Sequence, residues 1–181
     1  MLTICIDPGH GGKDPGAIKR PLVEKVLNLE FAVVMRDVIR KSEHFAVMTR
    51  DSDIYIPNRT RADIANAQDA DIFVSLHHNA FRSSKANGFE VLYYPTSRKG
   101  KRIATMVCDE VCLTWPIRNR GSKPRVNLSV LRNTKMPAIL IEAGFLTSTI
   151  DRRKILLDRD ERLRFYQSIS KTLLEVLDEV C

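Results

Sequence analysis

No run in this chain approaches the roughly 20 consecutive apolar residues that a membrane-spanning helix needs, and Asp7 breaks the first apolar run too early for a secretory signal peptide. A disulfide framework is missing as well. Of the four cysteines, Cys5 sits in an apolar run, Cys108 and Cys112 are helix neighbours and Cys181 ends the chain, so neither secreted-type bridges nor a zinc knuckle fits the spacing. There is no HExxH pair for a helical zinc site, and the glycines from Gly9 to Lys13 lack P-loop spacing. No serine or cysteine sits in a recognisable nucleophile motif. Internal repeats, low-complexity tracts and inter-domain linkers are absent too.

Acidic residues are the minority charge, 22 against 29 Lys and Arg, for a formal net charge of +7. That balance favours an anionic partner: nucleic acid, a membrane face or an anionic wall polymer. At 181 residues and 44% hydrophobic, the chain is long enough for one well-packed domain, residues 1–181.

What is present begins with Leu2–Ile6, an apolar strand that leads into Asp7-Pro8-Gly9-His10-Gly11-Gly12. The glycines free the loop to bend and leave His10 exposed. A helix follows from Glu24, with Leu27, Phe31, Val34, Met35 and Val38 on one face. Glu24 taken alone reads as a favourable charge at the helix N-terminus. Phe45–Thr49 forms the next strand, Pro57 and Asn58 open a short helix, and Ile72–Leu76 is a third apolar strand that ends in His77-His78-Asn79.

Gly88 introduces a further strand over Phe89–Tyr94. Thr96 to Lys101 reads as a polar loop, and a helix carrying Ile103, Ala104, Val107 and Val111 ends before Trp115-Pro116. Arg118 to Arg132 is basic and poorly periodic, a loop by default. Ala138–Ile141 is a last buried strand leaving at Glu142, and a final helix of about twenty residues carries Tyr166, Ile169, Leu173, Leu177 and Val180 on one stripe. The alternation of strands and helices predicts an α/β fold with a mainly parallel sheet and helices on both faces.

In such a sheet, ligands gather beyond the carboxyl ends of the strands. Three strands end in His10, His77 and Glu142, and Glu24 opens the helix after the first of them. Two neutral imidazoles and one carboxylate form an open zinc site, and the remaining carboxylate can then move a proton. This points to metal-dependent amide hydrolysis, with a zinc-bound water as nucleophile. Spacing alone does not say which bond is cut.

Several motifs in order also resemble a family. Asp7-Pro8-Gly9-His10-Gly11-Gly12, Asp14-Pro15-Gly16-Ala17, Glu24-Lys25, Ser75-Leu76-His77, and Leu131-Arg132-Asn133-Thr134 through Met136-Pro137-Ala138 to Ile141-Glu142-Ala143-Gly144-Phe145-Leu146 are similar to zinc-dependent N-acetylmuramoyl-L-alanine amidases of type 3. The resemblance implies a twisted, mainly parallel six-stranded sheet and cleavage of the amide between N-acetylmuramic acid and L-alanine of peptidoglycan. It implies one Zn2+ held by His10, Glu24 and His77, with Glu142 as general acid/base. His78 stands where a small residue is common in the family, and strand alternation lets only one of the two adjacent histidines join the set.

Some relatives carry an inserted helix over the zinc site. Between Tyr94 and Ser129 one helix and a basic loop leave no room for it, so no activator protein is expected. The lack of a leader suits a phage or prophage endolysin made in the cytoplasm and released at lysis, or a trimmed domain of a secreted wall enzyme. Targeting to peptidoglycan would then fall to basic patches such as Arg98, Lys99, Lys101 and Arg102, or to another domain. A zinc peptidase of the stem peptide and a catalytically dead wall-binding module are the competing readings. Nucleic-acid binding is not expected, because no aromatic-rich basic strand pair or recognition helix accompanies the charge.

Overall fold

Period-two alternation in the central strands decides which residues reach each face of the sheet. The computed structural model describes all 181 residues. Strands β1 (Thr3–Pro8), β4 (Phe45–Met48), β5 (Ile72–Asn79), β6 (Phe89–Tyr93), β7 (Asn119–Pro124) and β8 (Ala138–Phe145) form one sheet in the order β4-β1-β5-β8-β6-β7. All neighbours are parallel except β6 and β8. The strands β2 (Ile18–Lys19) and β3 (Leu22–Val23) pair as a small hairpin outside the sheet. The sheet is thus six-stranded and mostly parallel, as the motifs implied.

Helices α1 (Glu24–Ile39), α3 (Arg98–Thr114) and α6 (Arg159–Val180) cover one face. There Ile4, Ile6, Val74, Leu76, Val91, Ile139 and Ile141 meet Phe31, Val107 and Tyr166 in the main core. Each such side chain contributes roughly 1.5–3 kcal/mol when fully buried, and Phe31 stacks on Tyr166 at 4.3 Å between ring centroids. The opposite face is thinner. Cys5, Phe73, Leu92 and Leu140 lie under α2 (Asn58–Ala67) and α4 (Ser129–Asn133). A short helix α5 (Thr149–Asp151) and a π-helical turn, Arg152–Leu156, lead into α6. No helix is long and apolar enough to cross a membrane.

Two stretches differ from the sequence reading. The polar loop at Thr96 to Lys101 is shorter than expected, because Ser97 caps α3: its Oγ accepts from the Gly100 N–H at 3.1 Å, and the helix starts at Arg98. The basic stretch after Arg118 is also no simple loop. It supplies β7, an edge strand parallel to β6, whose polar composition hides the period because one edge and part of its surface face solvent.

His78 is a core residue. Its side chain lies on the α1 and α6 face, with Nδ1 2.8 Å from Asn28 Oδ1 and Nε2 2.8 Å from the Tyr166 hydroxyl. Burial, resisted in part by Glu24, pushes its pKa down to about 3, so the ring is neutral.

Candidate metal centre and catalytic cleft

Asp7, Ser75, His77, Leu140 and Glu142 alternate onto the thinner face, and the parallel exits of β1, β5 and β8 bring the last of them to one edge. The register sets His77 opposite Glu142 and Glu142 opposite Glu90. A cleft of about 270 Å3 opens there, lined by His10, Asp14, Arg61, His77, Asn127 and Glu142 among others.

His10 adopts a left-handed backbone, φ 62°, which is uncommon for a residue with a side chain. Two buried arginines hold the loop in that shape. Arg61 donates to the carbonyls of Pro8, His10 and Ile56 and pairs with the Asp7 carboxylate at 2.7 Å. Arg50 donates to the carbonyls of Pro8, Gly9, Lys25 and Ser52. Gly9 is required by close approach, since a side chain there would fall inside the His77 ring, and a Cβ on Gly16 would strike Glu24 and His10.

Glu24 begins α1 but is more than a helix-terminal charge. Its Oε1 lies 3.1 Å from His10 Nε2 and 2.9 Å from His77 Nδ1, and Oε2 accepts from the Ala17 N–H at 2.8 Å. Burial would raise the Glu24 carboxyl, but the hydrogen bonds and charges of His10 and His77 outweigh it and hold it well below the usual carboxylate range. The other ring nitrogen of His10, Nδ1, donates to Asp14 Oδ2 at 2.8 Å. Such a carboxylate fixes the imidazole tautomer and leaves Nε2 for a ligand.

One nitrogen each of His10 and His77 and one oxygen of Glu24 lie within 4.8 Å of one another. Two imidazoles and a carboxylate match the donor preferences of zinc, whose bonds of about 2.0–2.2 Å can be met at this spacing by small side-chain shifts.

Glu142 is half-buried at the floor of the cleft, yet its Oε2 is shielded from solvent and has no hydrogen-bond partner. An orphaned buried carboxylate oxygen is costly. Burial first, then the nearby charges of Glu24 and Glu90, push its pKa well up, against a weaker pull from Arg125. Glu90 itself stays charged, because hydrogen bonds from Lys123 and Arg120 overcome its burial.

His10, His77 and Glu142 therefore line one cleft, and Glu24 lies against the two imidazoles. Asp14, Glu90, Arg50 and Arg61 were not singled out. Asp14 four residues past His10 was a legible signal, whereas Glu90 becomes part of the site only through the antiparallel register of β6 on β8.

A family model described as N-acetylmuramoyl-L-alanine amidase (Amidase_3) matches residues 4–175. The chain is 36% identical over 155 residues to N-acetylmuramoyl-L-alanine amidase LytC of Bacillus subtilis (strain 168), covering 84% of this chain and 31% of LytC. It spans 31%, 60% and 65% of the lengths of three curated relatives that it matches. The crystal structure of an N-acetylmuramoyl-L-alanine amidase from Clostridium difficile 630 superposes with a TM-score of 0.91 at 35% identity, over 98% of this chain and 97% of that one. The CwlD amidase of Clostridioides difficile, solved in complex with the GerS lipoprotein, superposes with a TM-score of 0.90 at 27% identity, over 99% of this chain and 100% of that one.

Proposed function

Because the chain belongs to the N-acetylmuramoyl-L-alanine amidase family, we propose that it hydrolyses the amide between N-acetylmuramic acid and L-alanine in peptidoglycan, with zinc held by His10, Glu24 and His77. Residues 1–181 then act as one catalytic domain at the cell wall. The observation that carries this reading is the clustering of the His10, Glu24 and His77 donors beside a cleft that His10, His77 and Glu142 line, with the Oε2 of Glu142 unpartnered. When bound, zinc supplies Lewis acidity that activates water near neutral pH and stabilises the oxyanion of an attacked amide.

The protein's own groups do the rest. His10 and His77 would each present one ring nitrogen to the metal, with Asp14 fixing the His10 ring through Nδ1. Glu24 brings the negative charge that favours a cation. Glu142, with its proton affinity raised by burial and by Glu24 and Glu90, takes a proton from the attacking water and returns it to the leaving L-alanine amine. The polar cleft wall at Asn127 and Ser129 offers hydrogen bonds to a peptide or lactyl carbonyl.

The segment between β6 and α4 holds only α3 and β7, so no inserted helix covers the cleft from there; activity of the protein alone is the expected result. The test is digestion of purified peptidoglycan by the protein alone, with and without a chelator, followed by identification of the new amino-terminal residue. New amino-terminal alanine that the chelator abolishes is the expected result. A different new terminus would make the protein a peptidase, no new terminus would leave a binding module, and hydrolysis only after a partner is added would overturn the activator-free reading.

A further inference from the structure

We propose that a second cavity, between the N-terminus of α3 and the segment leading into β8, binds the phosphodiester groups of an anionic polymer. This cavity, of about 440 Å3, is lined by Arg98, Lys99, Arg132 and Lys135, and no carboxylate lines it. None of these four cations takes part in an ion pair, although the neighbouring Arg102 of the same basic run pairs with Glu179. The fold thus splits the Arg98–Arg102 run. Arg98 and Lys99 are joined by two cations far away in sequence, because β8 enters beside the end of β6, where Tyr93 pairs with Ile139.

The placement breaks a local electrostatic rule. The positive end of a helix dipole favours acidic side chains; α1 carries Glu24 and α6 carries Asp160 and Glu161 in their first turns, whereas α2 carries none and opens on Asn58-Arg59. The 17-residue α3 has no acidic residue in its first turn and opens on Arg98 and Lys99 instead. Like charges gathered on a positive helix end oppose folding unless an anion joins them. Ser97 Oγ takes only the Gly100 N–H, so the N–H groups of Arg98 and Lys99, which helix geometry leaves without internal acceptors, are free for oxyanion contacts.

A phosphodiester suits these donors. Two guanidinium forks match paired phosphate oxygens, and two ammonium groups add mobile point charges. Tyr94 is the sole aromatic in the lining and is half-buried, which gives no platform on which nucleobases could stack in succession. The cavity touches β8 at Ala138, the first residue of the strand and four residues before Glu142, and shares no lining residue with the cleft. A polymer held here would therefore tether the protein beside its cleft.

The test is fluorescence anisotropy of the full chain with a labelled synthetic glycerol-phosphate oligomer, titrated at several salt concentrations. The double variant R98Q/R132Q is expected to bind on the order of tenfold more weakly, about 1.4 kcal/mol shared between two exposed charge contacts, with a shallower salt dependence. A control that removes two exposed cations elsewhere, R40Q/K41Q, should bind as the parent does. Hydrolysis of a short soluble muropeptide should be equal in all three, and R98Q/R132Q should melt no lower than the parent. Equal loss in both double variants would reduce the effect to net charge and overturn the site. Tighter binding of a single-stranded DNA of equal charge would make the ligand nucleic acid, and saturation by inorganic phosphate without polymer binding would make it the free ion; either overturns the polymer assignment.

Discussion

His77 and His78 are chain neighbours whose imidazoles serve opposite faces of one strand: His77 Nδ1 lies 2.9 Å from Glu24 Oε1 in the cleft, while His78 Nε2 lies 2.8 Å from the Tyr166 hydroxyl in the core. Substitution separates the two roles. His77→Ala should lose zinc, read by competition with a chromophoric chelator, while the apoprotein's melting temperature changes little. His78→Ala should instead cost about 2–4 kcal/mol, from an emptied core position and unpaired Asn28 and Tyr166 groups, measured by denaturant unfolding.

Glu142→Gln should keep zinc and lower kcat by about 10²–10⁴-fold, the usual worth of a positioned general acid or base. Metal content and turnover measured on one preparation check this. Equal metal loss in Glu142→Gln and His77→Ala would move Glu142 into the ligand set.

The same variant carries a pH signature in the metal-free protein. An unfolded glutamate titrates near ~4.3, and the folded Glu142 titrates well above the usual range through burial and through Glu24 and Glu90, with Arg125 opposing. The folded state therefore holds the proton longer. Its contribution to stability is complete below the unfolded pKa and is lost as pH rises through the folded one. Removing the ionisable group should make Glu142→Gln more stable than the parent at neutral pH and equal to it near pH ~4, as read from melting temperatures across that range.

Arg61→Ala leaves the Asp7 carboxylate buried, its other partners being the Thr49 and Ser75 hydroxyls. Breaking such a pair costs about 3–5 kcal/mol. Because Arg61 also holds the carbonyls of Pro8 and His10, the variant should bind zinc more weakly even under conditions where it is folded. Denaturant unfolding and chelator competition measure the two effects separately.

Asp14→Asn keeps the size of the side chain that meets His10 Nδ1 but weakens its grip on the tautomer. Loss of such an outer partner is expected to reduce metal affinity by about 10–100-fold, again read by chelator competition and without reference to activity.

The strands β1, β5 and β8 and their exits were legible in the sequence because each depends on short-range chemistry. Apolar runs mark β1, β5 and β8, a glycine loop exposes His10, and strand polarity carries His10, His77 and Glu142 to one edge. The choice between His77 and His78 needed more than alternation, which allows either face until α1 and α6 dock on one of them. Likewise Glu24 has the position of an ordinary helix-terminal acid, and only the fold of Asp14–Val23 brings it between two imidazoles.

The sequence by itself determined the main strands and helices and the mostly parallel sheet, since hydrophobic period and loop composition act locally. Tertiary structure alone decided the rest. The antiparallel register of β6 on β8 sets Glu90 opposite Glu142, the arginines of α2 and of the segment after β4 reach under the His10 loop, and Arg132 and Lys135 join the uncompensated end of α3. Each is a meeting of residues distant along the chain, fixed by burial and charge across packed elements rather than by spacing.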